Sequence, residues 1–176
     1  MNTNKIKLRR LQLKDAPLMF EWMQESRVTS GLRIDFSTAN QQTAEKFIAK
    51  DIESEDQVNR HFAIVNEQDE YLGTISLKNI DLQNKNAEYA IVLRAMAIGT
   101  NTATDASTAL LSFAFQDLSL EKVYLNCLSD NRRAIAFYRK IGFVFEGEFK
   151  QHVYIKDKYH DLSWLAVLRK DYEKTV

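Results

Sequence analysis

The apolar and polar positions of the N-terminal third alternate first with the period of a strand and then with the period of a helix. An alternating run over Lys5–Leu11 predicts a first strand, and apolar residues at helical spacing predict a helix over Lys14–Gln24. The spacing Thr38-x-x-Gln41 is typical of a capping box, in which two side chains satisfy free N–H groups at a helix start. It predicts a second helix that runs to about Glu53.

Runs typical of strands dominate the rest of the chain, with two helical segments between them. The predicted elements are a hairpin of His61–Val65 and Tyr71–Lys78, a strand over Ala87–Leu93, a buried helix over Ala103–Leu118, a strand over Lys122–Leu128, a helix from the cap residue Asn131 to Ile141 with Gly142 as the left-handed residue after it, and closing strands over Phe143–Phe149, Val153–Ile155 and Asp161–Leu168. This order, β-α-α-β-β-β-α-β-α-β-β, is that of a mixed α/β fold, and its crossover helices require some parallel pairing.

Length and charge narrow the class of protein. The 176 residues suit one domain whose apolar core needs neither a metal nor a disulfide. Lys and Arg together number 24, as do Asp and Glu, so the net charge is zero. A chain without a basic surplus is not expected to bind nucleic acid by neutralising phosphates.

The cysteine content and the hydropathy point to the cytoplasm. The single cysteine, Cys127, excludes an intramolecular disulfide and a zinc site made of several cysteines, and its apolar surroundings predict a buried, unreactive thiol. No apolar run has the length of a membrane span, and the first residues lack the apolar region of a signal peptide. We therefore expect a cytoplasmic protein that does not bind membranes.

Two segments carry the most specific residue patterns. The first is AEYAIVL at Ala87–Leu93 followed by IGTNTATDA at Ile98–Ala106, and the second is NRRAIAFYRKIGF at Asn131–Phe143. The second resembles the pattern N-x-x-(S/A)-x-x-x-Y-x-K-x-G-F of the GNAT superfamily of acyl-CoA-dependent N-acetyltransferases. With Tyr159-His160-Asp161 in the tail, the resemblance covers residues 5–172 and extends to the branch of ribosomal-protein N-terminal and amino-sugar-nucleotide acetyltransferases.

This resemblance implies a fold and a cosubstrate. The fold is a single N-acetyltransferase domain over residues 5–172, with a mixed, mostly antiparallel twisted sheet of about seven strands and about four helices, splayed between the fourth and fifth strands. The cosubstrate is acetyl-CoA, whose pantetheine would add to the fourth strand and whose pyrophosphate would meet N–H groups at a helix start. No metal is implied. The residues implied to bind acetyl-CoA are Ile91, Val92, Leu93, Gly99, Thr100, Asn101, Thr102, Ala103, Thr104, Asn131, Arg133 and Ala134.

The first segment departs from the family pattern (Q/R)-x-x-G-x-(G/A). Ile98 stands where Gln or Arg is usual, and Asn101 stands where Gly is usual, whereas Ala103 fits. The loop before the helix holds one basic residue, Arg94. Backbone N–H groups, which any residue except proline supplies, can still hold the pyrophosphate.

Two residues are implied to act in catalysis. An attacking amine is mostly protonated at neutral pH, since its pKa is about 8 for an α-amine and about 10.4 for a lysine-like amine. Glu88 stands where relatives carry a glutamate that accepts this proton, directly or through water. A surface charge, a salt-bridge partner and a residue that only binds substrate are the alternatives for Glu88. Tyr138 matches the tyrosine that supports the departing thiolate, and its alternative is a core aromatic.

The remaining polar residues suggest where substrates meet the chain. Arg132 and Arg133 lie in the first turn of the predicted helix, where the helix dipole disfavours cations, so either a nearby anion such as a CoA phosphate or simple solvation explains them. Acceptor recognition is expected in the least family-like segments, where Arg27, Arg33, Asp35, Lys150, His152, Lys156, Lys158 and His160 form a mixed polar set, or a solvated surface. His152 and His160 are weaker candidates for the base, and Asp161 occupies a position common in the branch.

The sequence thus predicts an N-acetyltransferase that transfers acetyl from acetyl-CoA to a primary amine of a small molecule or a protein N-terminus by direct attack. The alternatives are an acyl-CoA-binding module without catalysis and a structural domain that binds no CoA. The expected partners are acetyl-CoA and an amine acceptor, and a homodimer is left open.

Overall fold

One sheet of seven strands organises residues 6–54 and 58–174, the part of the chain that the computed structural model describes. The strand order is β1-β2-β3-β4-β5-β7-β6, and every neighbouring pair is antiparallel except β4 with β5. The strands are β1 (Lys7–Arg10), β2 (Arg60–Val65), β3 (Tyr71–Asp81), β4 (Asn86–Leu93), β5 (Lys122–Leu128), β6 (Val144–Ile155) and β7 (Lys158–Leu168). The predicted mixed, mostly antiparallel sheet is confirmed, although Lys5, the predicted start of β1, lies outside the described residues.

The helices are α1 (Ala16–Gln24), α2 (Ser26–Thr29), α3 (Gln41–Glu53), α4 (Thr102–Ser112), α5 (Arg132–Lys140) and α6 (Arg169–Tyr172). Since α2 and α6 are single turns, four longer helices remain among the described residues, as the resemblance implied. The predicted helix over Ala103–Leu118 is α4 followed by a π-helical turn at Phe113–Asp117, so its extent is confirmed but its geometry is not uniform. The prediction that it is buried is wrong, because one side of α4, with Asp105, Thr108 and Ala109, is exposed.

Two other local predictions are wrong. The side chain that caps α3 is Asn40 and not Thr38: its Oδ1 accepts from the Thr43 N–H at 3.1 Å, and the Thr43 hydroxyl accepts from the Asn40 N–H at 3.1 Å. The predicted strands Phe143–Phe149 and Val153–Ile155 form one strand, β6, with a bulge. The chain continues through this bulge because Gln151 takes a positive φ of 47°.

Apolar side chains cover both faces of the sheet in two clusters. The first joins Leu77, Tyr89 and Leu125 to α4 and α5, and we call this side the α4 face. The second joins Ala63 and Val65 to α1 and α3, and we call this side the α1 face. Because successive side chains of a strand point to opposite faces, the neighbours of the buried β4 and β5 residues point toward the α1 face.

The parallel pair β4–β5 separates after three residues. The ladder joins Asn86 with Lys122, Ala87 with Val123 and Glu88 with Tyr124, and there it ends. Beyond it, β4 pairs with β3 through Leu93, and β5 pairs with β7 through Leu128. We call the opening between 89–93 of β4 and 125–128 of β5 the gap. It confirms the predicted splay between the fourth and fifth strands.

Candidate active site

Glu88 closes the β4–β5 ladder and is surrounded by hydrogen-bond donors. The residue is only 8% exposed. Its Oε1 accepts from Arg33 Nη2 at 3.1 Å and from Lys78 Nζ at 3.0 Å, and its Oε2 accepts from Asn79 Nδ2 at 3.0 Å. Each carboxylate oxygen can accept about two hydrogen bonds, so Oε1 is filled and Oε2 can accept one more. The salt-bridge alternative is therefore observed, and it leaves room for one further donor.

Tyr138 packs on the other side of the sheet. Its ring lies edge-on to Tyr89 with centroids 5.9 Å apart and contacts Phe143 at 6.0 Å. Burial raises the pKa of Tyr138 well above its ordinary value, and the nearby Cys127 adds to this effect. Within the described ranges, the Tyr138 hydroxyl makes no hydrogen bond. The phenol is therefore a protonated donor that is held by ring packing.

Glu88 and Tyr138 lie on opposite faces, yet both border the gap. Tyr89, the residue after Glu88, contacts the Tyr138 ring from the β4 side. From the β5 side, burial raises the pKa of Cys127 to about 11, and the charge of Arg33 opposes this shift. Since Arg33 also binds Glu88, its charge acts on groups of both faces. The predicted buried thiol at Cys127 is confirmed.

The loop that leads into α4 presents backbone N–H groups. Gly99 has a φ of 88° and is exposed, so a residue without a side chain suits this turn. Across the described part of the chain, no hydrogen bond engages the N–H groups of Gly99, Thr100 and Asn101, and the first backbone bond of α4 comes from the Asp105 N–H to the Asn101 carbonyl. Three N–H groups without a hydrogen bond to a described residue thus lie in the loop before α4.

The departures from the family pattern have local explanations. Asn101 has a φ of −75°, a right-handed conformation that does not require glycine. Ile98 is half-buried and packs into the apolar cluster of the α1 face. Arg94 is occupied, because its guanidinium donates to Glu21 at 2.9 Å, to Glu70 at 2.8 Å and to the Tyr71 carbonyl at 3.1 Å. Arg94 therefore stabilises the end of β4 and does not present an unpaired positive charge to the loop.

The start of α5 is tied to the segment that follows α2. Asn131 is the predicted N-cap: its Oδ1 accepts from the Ala134 N–H at 3.1 Å. Its Nδ2 donates to the Gly31 carbonyl at 3.3 Å, and this contact holds the segment that carries Arg33 next to α5. Arg132 and Arg133 are exposed, and neither is ion-paired with any described residue.

The weaker candidates have structural contacts outside the gap. Asp161 accepts from the Gln151 N–H at 2.7 Å and from Lys150 Nζ at 3.0 Å, so it stabilises the bulge of β6. His152 packs on Phe149 with ring centroids 5.1 Å apart. His160 Nδ1 lies 3.8 Å from the Asp130 carboxylate. These contacts supply a structural role for Asp161 that the sequence did not.

Comparison with known proteins identifies the family. A family model described as an acetyltransferase (GNAT) domain matches residues 5–144. The chain belongs to the GNAT acetyltransferase family. This acetyltransferase is 26% identical to the N-acetyltransferase p20 of Bacillus licheniformis over 171 residues, 97% of this chain and 96% of that protein. It is 30% identical to the ribosomal-protein-serine acetyltransferase of Escherichia coli (strain K12) over 99 residues, 56% of this chain and 55% of that one.

A solved structure agrees with the fold of this acetyltransferase. The spermidine N-acetyltransferase of Vibrio cholerae, in complex with CoA and spermine, superposes with a TM-score of 0.86 at 24% identity, over 98% of this chain and 99% of that one. The predicted activity is confirmed at the level of the family: the protein is an N-acetyltransferase that uses acetyl-CoA and an amine.

Two further observations bear on this acetyltransferase. None of the helices in the described ranges is long and apolar enough to cross a membrane. Sequence reasoning listed Arg33 among the polar residues but missed its pairing with Glu88, together with Lys78 and Asn79. The Arg33 contact joins residues 55 positions apart in the chain, and the other two join residues 10 and 9 positions apart on neighbouring strands, so none of them leaves a local pattern in the sequence.

Proposed function

We propose that acetyl transfer takes place in the gap, with acetyl-CoA on the α4 face and the amine acceptor on the α1 face. The observation that carries this proposal is the end of the β4–β5 ladder at Glu88. It leaves the edge of β4 without a strand partner beside a helix start with free N–H groups. Glu88 and Tyr138 stand on the two sides of this opening.

The donor is held by backbone groups in this proposal. Along one edge, 91–93 of β4 pair with β3, and the opposite edge faces the gap. Pantetheine adds to that edge as a short strand would, and Gly99–Thr104 receive the pyrophosphate at the start of α4. An N–H of β4 at the gap then donates to the thioester oxygen, where negative charge develops during attack. Asn131 and Ala134 at the start of α5 border the CoA arm.

Glu88 acts on the amine. The amine must give up one proton before its nitrogen can form a bond to the thioester carbon, because the ammonium form has no lone pair. The remaining lone pair on Glu88 Oε2 is available for that proton, directly or through a water molecule. The nitrogen loses a second proton to solvent as the carbon–sulfur bond breaks. Arg33 and Lys78 hold the carboxylate in place through Oε1. They keep it oriented while Oε2 acts.

Tyr138 acts on the leaving group. When the carbon–sulfur bond breaks, the thiolate of CoA carries the charge, with a pKa of about 8.5 for an ordinary thiol. Because burial raises the pKa of Tyr138 above that of an ordinary phenol, its proton stays on the phenol oxygen. Tyr138 therefore stabilises the thiolate by donating a hydrogen bond, and full proton transfer is uphill.

The activity is tested by following CoA release from acetyl-CoA against a panel of primary amines that includes spermidine and N-terminal peptides. We expect at least one amine to release CoA and to be acetylated at nitrogen. Acetyl-CoA that raises the melting temperature without any release of CoA across the panel would indicate a binding module without catalysis.

We also propose the domain boundaries and the cellular compartment of the protein. We assign one domain to residues 5–172, which the single sheet and its two apolar clusters support. A cytoplasmic location suits the buried free thiol of Cys127, because thiols stay reduced there.

Arg133 is proposed to contact a CoA phosphate. We expect Arg133→Ala to raise the acetyl-CoA Kd about fivefold, that is by roughly 1 kcal/mol, with a smaller effect at high ionic strength. The free protein should become slightly more stable, because the variant removes a cation from the N-terminal turn of α5.

Arg139→Ala is the matched control, since Arg139 lies in the last turn of the same helix. It should leave the Kd unchanged and should destabilise the helix slightly. Equal acetyl-CoA affinity and salt dependence in Arg133→Ala and the wild type would reject the contact.

A homodimer is proposed through β6. This strand of 12 residues is the edge of the sheet, and its exposed apolar side chains include Val144, 65% exposed, and Tyr154, 60% exposed. A long apolar edge strand is a template for pairing with another chain, and the proposed partner is the β6 of a second copy. We expect sedimentation analysis to give a dimer that Val144→Lys dissociates and that Leu82→Lys, in the exposed β3–β4 turn, leaves intact. A wild-type monomer at micromolar concentration would refute the dimer.

A further inference from the structure

Two polar atoms near the gap have no role in the proposed mechanism. Asn126 Oδ1 and Trp164 Nε1 are shielded from solvent and make no hydrogen bond among the described residues. Most buried polar groups in folded proteins are paired, and the exceptions often mark functional sites. These two are the buried side-chain N and O atoms without a partner in the described ranges.

The sheet places both residues at the acceptor side. Asn126 and Trp164 are direct partners in the β5–β7 ladder, so their side chains are neighbours on one face. Asn126 lies two residues after Tyr124, the ladder partner of Glu88, and is therefore on the α1 face. It is the first residue of β5 on that face beyond the end of the ladder. On β4 the corresponding step from Glu88 leads to Ala90, which has only a methyl side chain.

Ring packing, not hydrogen bonding, orients the indole of Trp164. The Tyr124 ring lies 6.0 Å from it and the Phe149 ring lies 5.3 Å from it, measured between centroids. The N–H group is thus held in a fixed direction without a protein acceptor. Its neighbour Asn126 offers a carbonyl oxygen beside it.

The two atoms are complementary in chemistry. An amide oxygen accepts hydrogen bonds, whereas an indole N–H can only donate one. An amine in the gap supplies N–H groups, which the Asn126 oxygen and the remaining lone pair of Glu88 Oε2 can accept. The Trp164 N–H needs an oxygen, which a protonated polyamine lacks.

We propose that Asn126 and Trp164 select an acceptor that carries an oxygen a few bonds from the attacking amine. The carbonyl of an N-terminal residue and the hydroxyl or ring oxygen of an amino sugar both meet this description. The proposal rests on the proposed function, because it assumes that the amine enters the gap from the α1 face. The Asn126 oxygen accepts a hydrogen bond from the attacking nitrogen, and the Trp164 N–H donates one to the oxygen of the acceptor.

The charges around the gap favour the same class of acceptor. Arg33 and Lys78 both point at Glu88 from the α1 face and match its single negative charge with two positive ones. A polycation therefore meets two cations next to the carboxylate. An acceptor with a single ammonium group and a neutral or anionic oxygen meets less of this repulsion.

The first test uses the wild-type protein and compares kcat/KM for four amines: the dipeptide amide alanyl-glycinamide, glucosamine, spermidine and butylamine. We expect one or both oxygen-bearing amines to exceed butylamine and spermidine by about tenfold or more, the value of one net hydrogen bond. Whether the dipeptide amide or glucosamine has the higher kcat/KM shows whether the oxygen belongs to a peptide carbonyl or to a sugar. Spermidine turned over as well as the better oxygen-bearing amine would overturn the proposal.

The second test separates the two side chains. Trp164→Phe keeps the ring and removes the N–H, so it should lower kcat/KM about tenfold for the oxygen-bearing amine and leave butylamine unchanged. Asn126→Leu should lower kcat/KM for every amine, and Asn126→Asp, which keeps an acceptor oxygen, should recover part of it. All three variants should keep the acetyl-CoA affinity, since neither residue borders the α4 face.

The outcomes distinguish this inference from the function on which it rests. If Trp164→Phe lowers kcat/KM equally for butylamine and for the oxygen-bearing amine, Trp164 serves only in packing and the inference is refuted. A wild-type protein that binds acetyl-CoA but acetylates none of the amines would refute the proposed function itself. The wild-type comparison needs no variant, so it decides the question even if a substitution impairs folding.

Discussion

Tyr138→Phe is expected to lower kcat about 100-fold, in the range for removing one donor to a developing negative charge. The phenol stays protonated because burial raises its pKa, and the proposed hydrogen bond forms only when the thiolate departs. Removing a hydrogen bond that forms only in this transition state lowers kcat and leaves the acetyl-CoA Kd within about twofold of the wild-type value. Pre-steady-state measurement of CoA release, together with calorimetry for the Kd, provides the test.

Stability and a matched variant serve as controls for this substitution. Phenylalanine keeps the ring contacts with Tyr89 and Phe143, and no described group loses a hydrogen bond. The melting temperature should therefore stay within about 2 °C. Tyr159→Phe, at a residue 59% exposed, should leave kcat unchanged. If the kcat of Tyr138→Phe equals that of the wild type, Tyr138 is a core residue with no role in catalysis.

Glu88→Gln is expected to lower kcat/KM at pH 7 about 100-fold, because glutamine keeps the shape but accepts no proton from the amine. The ratio of wild type to variant should shrink by up to about tenfold between pH 7 and pH 9 for an acceptor whose pKa is about 8. Over that range the amine loses its own proton to solvent, and the base is needed less. Rate profiles of both proteins against pH measure this change.

The loss of an ion pair has to be separated from the loss of a base. Glu88→Gln also leaves Arg33 and Lys78 without their carboxylate, and we expect a stability cost of about 1–3 kcal/mol. Glu121→Gln removes an exposed carboxylate 3.7 Å from Arg169 and should change neither rate nor pH profile. If the ratio of wild-type to variant kcat/KM stays constant across the pH range, Glu88 stabilises the site and does not act as the base, whatever the effect of the substitution on stability.

Local patterns were enough to predict most of the elements. The hairpin of β2 and β3 was predicted because alternation and a polar turn are properties of neighbouring residues. Asn131 and Gly142 were predicted at the two ends of α5 for the same reason, and Gly142 has the expected positive φ of 99°. Thr38 failed as a cap because Asn40 is an equally suitable residue two positions away. The choice between them depends on how the preceding loop packs, for example Phe36 against Trp22 at 5.3 Å.

By itself, the sequence determined most elements of the mixed sheet through local patterns of residues. The family, the splay between the fourth and fifth strands, and the expectation that Tyr138 and Glu88 serve acetyl transfer came from the resemblance that two of its segments carry. Only the tertiary structure decided what surrounds them. It brought Arg33 across 55 positions to Glu88, and it set Asn126 beside Trp164, 38 residues away, through strand pairing. Strand pairing and loop packing depend on the burial of distant apolar surfaces, which no local pattern of residues encodes.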